Sequence, residues 1–263
     1  MRFALIKCKG STLSLHRLIQ RAFIFSPSGL DSSDRQVAFN AVTKLLNHRF
    51  PKGSPLFQKW EVCAKYLHHV LALAELFKTL KATKRPMESS PDFDELIMNA
   101  SWYQYEIGDL EASLNLLMLG FDICQDKEGI LYGFYCNHAA CIYYELNDLV
   151  RCREVLEKSQ KIREARGDPI ENELANTYSN MSNLLLSESL LDEALMMNEK
   201  AMTLRATIVG TSSTYFALSH MMKGRIHAWK KEYDIASEWY QKSADVFVDA
   251  GEGESWLRGW SVN

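Results

Sequence analysis

Glycine and proline are scarce in this chain, with 13 and 6 residues among 263. Both residue types interrupt helices, so their scarcity favours long uninterrupted helical segments. The prolines are confined to a few places along the chain, which are Pro27, Pro51 and Pro55, Pro86 and Pro91, and Pro169. These places divide the sequence into helical blocks.

Long apolar runs and a strong excess of charge are also missing. The run VLALAEL, which starts at Val70, is soon followed by Lys78 and is too short to cross a bilayer. The amino-terminal MRFALIKCKG has no apolar stretch of signal-peptide length before Lys7 and Lys9. The formal net charge of −3 gives no general attraction to nucleic acid or to an anionic membrane. We therefore expect a cytoplasmic protein that binds neither.

Motifs of the common catalytic, nucleotide and metal sites are absent from the sequence. It contains no Cys-x-x-Cys, Gly-x-x-x-x-Gly-Lys-Ser/Thr, His-Glu-x-x-His, Gly-x-Ser-x-Gly or Gly-x-Gly-x-x-Gly. Cys136, His138 and Cys141 are close in sequence, but steps of two and three cannot bring all three to one face of a helix. His68 and His69 are adjacent, so on a helix they point about 100° apart. We expect no catalytic residue, no cofactor and no metal, and hence a non-enzymatic chain.

What the sequence does contain is helical periodicity after a short strand-like start. RFALIKC and TLSLH flank the turn-like KGS and predict a β-hairpin, followed by a short helix in RLIQRAFIF. Apolar spacing predicts a pair of helices within residues 34–84 and a linker over 83–92. Residues 94–250 are repetitive, and residues 251–263 are predicted to be an irregular tail.

Four segments of the repetitive region align without gaps around a polar turn. Their small residues recur twelve and then seven positions apart, and the repeats themselves are 39, 42 and 42 residues apart. The small positions are Ser101, Ser113 and Gly120; Ala140, Cys152 and Ser159; Ser182, Ala194 and Ala201; and Gly224, Ala236 and Ser243. Small side chains at such steps let two antiparallel helices approach closely, which predicts a stack of helix hairpins.

This pattern resembles the tetratricopeptide repeat, and its long period is similar to the repeats of kinesin light chains. ELANTYSNMSNLLL followed by DEALMMNEKAM is the clearest match. The resemblance covers about residues 94–250 and implies an all-α fold, a right-handed α-solenoid of four helix hairpins. It also implies a role in binding a protein or peptide partner.

The amino-terminal segment has a resemblance of its own. TLSLHRLIQ, at residues 12–20, looks like the end of the winged helix in fungal NLR-type STAND ATPases, which carry tetratricopeptide repeats. Phe50-Pro51, Trp60, Cys63 and His69-Val70 follow in the order that this family shows. The resemblance implies a winged-helix remnant over residues 1–25 without its nucleotide-binding domain. We therefore expect a fragment of such a sensor or a shortened gene product, in which His16 has a packing role.

The resemblance also implies where a partner binds, because the first helix of each hairpin, the A helix, lines a concave groove in these solenoids. The predicted groove residues are Trp102, Tyr105, Asn137, Tyr144, Ser179, Asn180, Asn183 and Arg225, with Met98, Cys141 and Met221 completing the row. Asparagine amides can pair with an extended peptide backbone, and aromatic residues and arginine are common interface anchors. The alternative for Asn137 and Asn183 is that they only bond neighbouring helices. The alternative function is a regulatory part of a STAND-type ATPase assembly.

Overall fold

The computed structural model describes residues 6–9, 12–15, 32–53, 56–81, 86–166 and 171–250. The chain divides into two compact units, Met1–Ala100 and Ser101–Asn263. The described residues of the first unit include strands β1 (Ile6–Lys9) and β2 (Thr12–Leu15), helices α1 (Ser32–Arg49) and α2 (Trp60–Lys81), and a 3₁₀ turn at Phe57–Lys59. Helix α3 (Pro91–Glu106) runs through the boundary between the units.

The first unit begins with the predicted β-hairpin. Its strands are antiparallel, with Ile6 opposite Leu15 and Lys9 opposite Thr12. The helix predicted in RLIQRAFIF and the tail over 251–263 lie outside the described residues. The winged-helix interpretation of residues 1–25 therefore stays a prediction.

Aromatic packing joins the helices of the first unit. Phe39 of α1, Phe77 of α2 and Phe93 at the start of α3 are all buried. Their ring centroids are 5.0 to 5.6 Å apart. The predicted linker over 83–92 extends too far, since α3 begins at Pro91, where the missing N–H of proline costs no helical bond. Ser90 caps this end by accepting a hydrogen bond from the Phe93 N–H at 3.3 Å.

The second unit is a stack of helix hairpins, which confirms the predicted all-α solenoid. Its further helices are α4 (Leu110–Ile123), α5 (Ile130–Glu145), α6 (Leu149–Arg166), α7 (Glu171–Ser187), α8 (Leu191–Ile208), α9 (Thr214–Trp229) and α10 (Tyr233–Asp249). The A helices are α3, α5, α7 and α9, and each is followed by a B helix, α4, α6, α8 or α10. Each described A helix after α3 packs on its own B helix and on the B helix before it.

The four turns from A helix to B helix have one geometry. In the first, Gly108 has a φ of 82°, the Gly108 N–H donates to the Tyr105 carbonyl, and the Asp109 N–H donates to the Gln104 carbonyl. This pair of hydrogen bonds is a Schellman motif, which closes the end of a helix. The equivalent left-handed residues of the other turns are Asn147, Ser189 and Lys231. The repeated turn fixes how each B helix returns along its A helix.

The small residues lie where the helices cross, as the spacing predicts. Ser101 and Ser113 each donate from Oγ to the backbone carbonyl of the other, at 2.8 and 2.7 Å. The Ser182 Oγ donates to the Ala194 carbonyl at 2.7 Å in the third hairpin. In the fourth hairpin, a Cβ on Gly224 would lie 3.2 Å from the Ala236 carbonyl oxygen. Larger side chains at these crossings would hold the helices apart.

The third small position of the first two repeats serves packing against the next A helix. A Cβ on Gly120 would lie 2.3 Å from the buried ring of Tyr135 on the next A helix. The Ser159 Oγ lies 3.1 Å from the Thr177 Oγ1, again on the next A helix. The periodic small residues therefore shape contacts both within and between hairpins.

Candidate partner-binding face

Neighbouring A helices of the second unit bond directly to each other. The Asn180 Nδ2 of α7 donates to the Asn137 Oδ1 of α5 at 3.1 Å, and the Arg225 Nη1 of α9 donates to the Asn183 Oδ1 of α7 at 3.0 Å. We call the eight predicted residues on these helices the A-helix face: Trp102, Tyr105, Asn137, Tyr144, Ser179, Asn180, Asn183 and Arg225. All of them are partly buried except Asn137, which is buried.

Aromatic rings form the contact between α3 and α5. The Trp102 ring lies 5.2 Å from the Tyr105 ring and 4.8 Å, edge-on, from the His138 ring. Tyr105 approaches the same imidazole at 5.8 Å. We call Trp102, Tyr105 and His138 the aromatic junction. Sequence reasoning missed His138, although it follows Asn137 directly.

Burial sets the electrostatics of the aromatic junction. His138 is 3% exposed, and both of its ring nitrogens are buried without a hydrogen-bond partner among the described residues. Desolvation lowers the pKa of His138 to about 3, so the ring is neutral at physiological pH. Burial likewise raises the pKa of the Tyr105 hydroxyl. The junction is therefore uncharged and behaves as apolar packing.

Amide and guanidinium groups form the contacts among α5, α7 and α9. Besides its bond to Asn137, the Asn180 Nδ2 lies 3.5 Å from the Cys141 Sγ, which itself donates to the Asn137 carbonyl at 3.4 Å. We call Asn137, Asn180, Asn183 and Arg225 the amide junction. Its bonds match the alternative in which Asn137 and Asn183 tie neighbouring helices together.

These bonds use only some of the hydrogen-bond donors and acceptors of the amide junction. The Nδ2 groups of Asn137 and Asn183 and the Oδ1 of Asn180 have no partner within the described part of the chain, and none of these atoms is an orphaned buried atom. Each asparagine side chain offers two donor hydrogens and an acceptor oxygen. The junction therefore keeps donors and acceptors for a further partner.

Two other predicted residues have separate environments. The Tyr144 hydroxyl lies 2.9 Å from the Ser187 Oγ, which joins the ends of α5 and α7. The Ser179 Oγ is buried and has no hydrogen-bond partner among the described residues. Ser179 thus makes none of the contacts described for the other residues of the A-helix face.

Sequence reasoning missed a polar group at the start of α7. The Asn176 Oδ1 accepts a bond from the Arg205 Nη2 at 2.9 Å, and the Arg205 Nη1 donates to the Ser219 Oγ at 2.5 Å. Arg205 is 3% exposed, and burial lowers its pKa to about 10. Asn176 could have been found, since it lies one helical turn before Asn180. Arg205 follows the third small residue of its repeat by four positions, and so does Arg163, which is nearly buried and pairs with Glu173.

Burial also decides the chemistry of the thiols. It raises the pKa of Cys136 and of Cys141 to about 12 and that of Cys152 to about 11, so these thiols are protonated and weakly nucleophilic at neutral pH. In the parts of the chain that the structure describes, no three residues of the types His, Cys, Asp and Glu are grouped to hold a metal ion. Over the same parts, no helix is both long and apolar enough to cross a membrane.

Comparison with solved structures identifies the fold of the repeats. The chain is similar to TPR-like repeats, nearly identical to one another, that are assigned to a kinesin light chain of Podosopora anserina, with a TM-score of 0.52 and 14% identity over 74% of this chain and 96% of that one. A variant of that protein with one substituted residue gives a TM-score of 0.55 over the same shares. BtubC (BKLC) of P. vanneervenii gives a TM-score of 0.56 and 12% identity over 83% of this chain and 92% of that one. No protein-family model matches the chain, and no curated protein matches it either. At these identities the similarity concerns the fold, which is that of TPR-like repeats.

Proposed function

We propose that this chain is a non-enzymatic protein-interaction module that binds an extended peptide segment of a partner along its A-helix face. A TPR-like fold suggests a protein-interaction role, because stacked hairpins present a continuous surface of side chains from successive repeats. The cytoplasm, where such modules meet protein partners, is the compartment we propose for it. The proposal needs no cofactor and no nucleic acid.

The observation that carries the proposal is the remaining hydrogen-bonding capacity of the amide junction. Asn180 is bonded to Asn137, and Arg225 is bonded to Asn183, while other amide atoms of these asparagines have no partner among the described residues. Amides that are already positioned lose little conformational entropy when they bind a peptide backbone. An extended peptide exposes its own N–H and C=O groups at regular intervals, which is the complement of such a row.

Aromatic residues supply apolar contact at one end of the proposed peptide site. Trp102 and Tyr105 are partly buried against His138, so their rings are fixed while part of each surface remains accessible. Rigid aromatic rings give large contact area at low entropic cost. We expect an apolar side chain of the peptide to contact these rings while its backbone bonds to the asparagines.

The wider context is a second part of the proposal. The resemblance of residues 12–20 to the winged helix of fungal NLR-type proteins suggests that the module acts beside a STAND-type nucleotide-binding domain. The hairpin of β1 and β2 lies in the segment where such a winged helix would have its wing. Under this proposal the repeats bind the ligand that such a sensor detects.

The test is selection of linear peptides from a random phage-displayed library against the whole chain. Fluorescence anisotropy then compares the native chain with the variant Asn180→Ala/Asn183→Ala. We expect binding to weaken about tenfold or more, since each amide loses bonds to the peptide.

A matched control changes polar residues on the B helices, Thr203→Ala/Gln241→Ala, both of which are exposed. Circular dichroism confirms that both variants stay folded. Failure to select any peptide, or equal affinity of both variants for the selected peptides, would contradict the proposal.

A further inference from the structure

The four turns from A helix to B helix carry exposed apolar side chains. Because these turns share one Schellman geometry, the turns themselves are equivalent in successive repeats, whereas the exposed apolar residues stand at different positions within them. We call residues 106–111, 145–151, 187–193 and 229–235 the turn edge. Its large exposed apolar residues include Ile107 at 43%, Leu146 at 51%, Val150 at 71%, Leu190 at 40%, Trp229 at 57% and Tyr233 at 67% exposure. Single exposed apolar residues are ordinary, whereas one or more at every turn of a repeat is a pattern.

Contacts join the second turn to the third and the third to the fourth. The Tyr144 hydroxyl and the Ser187 Oγ, 2.9 Å apart, join the second turn to the third, where Glu188 also pairs with Arg153 of α6. The Lys230 Nζ of the fourth turn lies 2.5 Å from the Asp192 Oδ1 of α8. The contact of Trp102 with His138 brings α3 beside α5. The exposed apolar residues thus lie along one side of the second unit.

Negative charge accompanies the apolar residues. The turn edge holds ten carboxylates and three lysine or arginine residues, although the whole chain has a net charge of only −3. Four of its exposed carboxylates, one at each turn, form no ion pair with any described residue. These are Glu111, Glu145, Glu193 and Asp234.

Stabilisation of helix ends explains only some of these carboxylates. Carboxylates in the first turn of a helix, such as Glu111 and Asp234, stabilise the helix because its amino terminus is partly positive. Glu145 is at the carboxyl end of α5, where the same dipole disfavours a negative charge. The exposed Glu145 carboxylate adds to the negative potential of the turn edge and destabilises the end of α5.

We propose that the turn edge binds a cationic amphipathic helix of another protein. Directly packed helices lie about 10 Å apart, and an α-helix rises about 1.5 Å per residue, so a helix lying along the edge would meet a new turn every seven residues or so. An apolar stripe with heptad spacing would contact the exposed apolar residues, and lysine or arginine beside the stripe would face the carboxylates. Trp229 and Tyr233, both large and exposed, are the anchors at the fourth turn.

This surface adjoins the A-helix face at Tyr144, but the two surfaces consist of different residues, so the two proposals can fail independently. The A-helix face offers amide groups along the helices, whereas the turn edge offers apolar groups and carboxylates at their ends. A peptide selected on the A-helix face should leave the binding of a helix to the turn edge unchanged. Competition between the two ligands would contradict the assignment of separate surfaces.

The experiment uses a labelled synthetic helix of about 21 residues with leucine at heptad positions and flanking lysines. Fluorescence anisotropy measures its binding to the whole chain at low and at high salt. Two reference peptides share its composition with a scrambled order, or carry glutamate in place of lysine. We expect the leucine–lysine helix to bind, to bind less tightly at high salt, and to bind better than either reference.

Two variants of the chain locate the binding surface. The edge variant carries Ile107→Ser, Leu146→Ser, Leu190→Ser and Tyr233→Ser. The control variant changes equally exposed apolar residues elsewhere, namely Met118→Ser, Met196→Ser, Val209→Ser and Val248→Ser. We expect the edge variant to bind about tenfold more weakly or worse, and the control variant to bind like the native chain.

A third variant tests the charges without altering the apolar residues. It carries Glu111→Gln, Glu145→Gln, Glu193→Gln and Asp234→Asn, and it should weaken binding and flatten its salt dependence. Equal binding by the native chain and the edge variant would overturn the proposal. Equal binding of the scrambled peptide, or no binding of the leucine–lysine helix, would overturn it too.

Discussion

The aromatic junction and the amide junction both join neighbouring A helices, the first through ring packing and the second through hydrogen bonds. Trp102, Tyr105 and His138 join α3 to α5 through ring contacts, and the imidazole makes no hydrogen bond to a described residue. Asn180 and Arg225 instead join neighbouring A helices through hydrogen bonds to Asn137 and Asn183. Aromatic rings stabilise in proportion to the apolar surface that they remove from water, whereas amides exchange one hydrogen-bond partner for another at little net gain. We therefore expect stability to depend mainly on the first junction, and the proposed peptide binding mainly on the second.

The largest effect on stability is expected from Trp102→Ala. This change removes the ring contacts with Tyr105 and His138 and the bond that the Trp102 Nε1 donates to Glu106 at 2.7 Å. Because the indole is partly buried, the free energy of unfolding should fall by about 2–3 kcal/mol, at or below the low end for buried Trp→Ala changes. Urea denaturation followed by circular dichroism measures it.

The matched control for this change is Trp229→Ala, because the Trp229 side chain is 57% exposed. Its cost should be within about 0.5 kcal/mol. Similar losses for the two tryptophans would show that the aromatic junction does not contribute special stability.

Acid should weaken the aromatic junction through His138. Its pKa is lowered to about 3 in the folded chain, whereas an unfolded histidine titrates near about 6.5. Below the unfolded pKa only the unfolded chain takes up the proton, so stability is lost as the pH falls towards 3. The loss from this residue should reach about 2 kcal/mol between pH 6.5 and 4.5.

Comparison with His138→Phe isolates this contribution, because burial also lowers the pKa of His69 and of His220. Phenylalanine keeps an aromatic ring beside Trp102 and has no buried nitrogen without a partner. Denaturation across this pH range should show a shallower acid loss in the variant by about the same 2 kcal/mol. Parallel pH profiles would contradict the assignment to His138.

A smaller effect is expected from Asn180→Ala in the amide junction. The change removes the donor to the Asn137 Oδ1 and to the Cys141 Sγ. Asn180 is partly exposed, so water can replace part of what is lost, and the cost should be about 1 kcal/mol. A double-mutant cycle with Asn137→Ala, followed by urea denaturation, measures the coupling. Additive losses would show that the two amides do not stabilise each other.

The hairpins could be predicted from the sequence because their geometry depends on residues that are close together in the sequence. Ser182 and Ala194 meet at a crossing that follows from their spacing alone. The turn between them is also local, since it needs only one left-handed residue, Ser189. The start of α3 at Pro91 was missed because the composition of residues 83–92 resembles a linker throughout.

The partners within the A-helix face could not be predicted in the same way. The bond between Asn180 and Asn137 depends on how far one hairpin is rotated relative to the next, and the small residues do not encode that angle. Arg205 was missed because a cation inside a B helix is usually on the solvated face. His138 was judged only as a metal ligand, so its packing between two aromatic rings was not considered.

The smallest effect on stability should come from Arg225→Ala, although its effect on binding should be larger. The guanidinium is partly exposed and gives the Asn183 Oδ1 one bond at 3.0 Å, so its loss should cost only about 0.5 kcal/mol. Without that bond the Asn183 amide is free to rotate, and a peptide must then order it on binding. Peptides selected on the native chain should bind Arg225→Ala several-fold more weakly, while Arg225→Lys should restore less than half of the loss because lysine lacks the planar fork of arginine. Anisotropy and urea denaturation on the same samples give both quantities. A stability loss as large as that of Trp102→Ala, with unchanged peptide affinity, would reverse the division of roles between the two junctions.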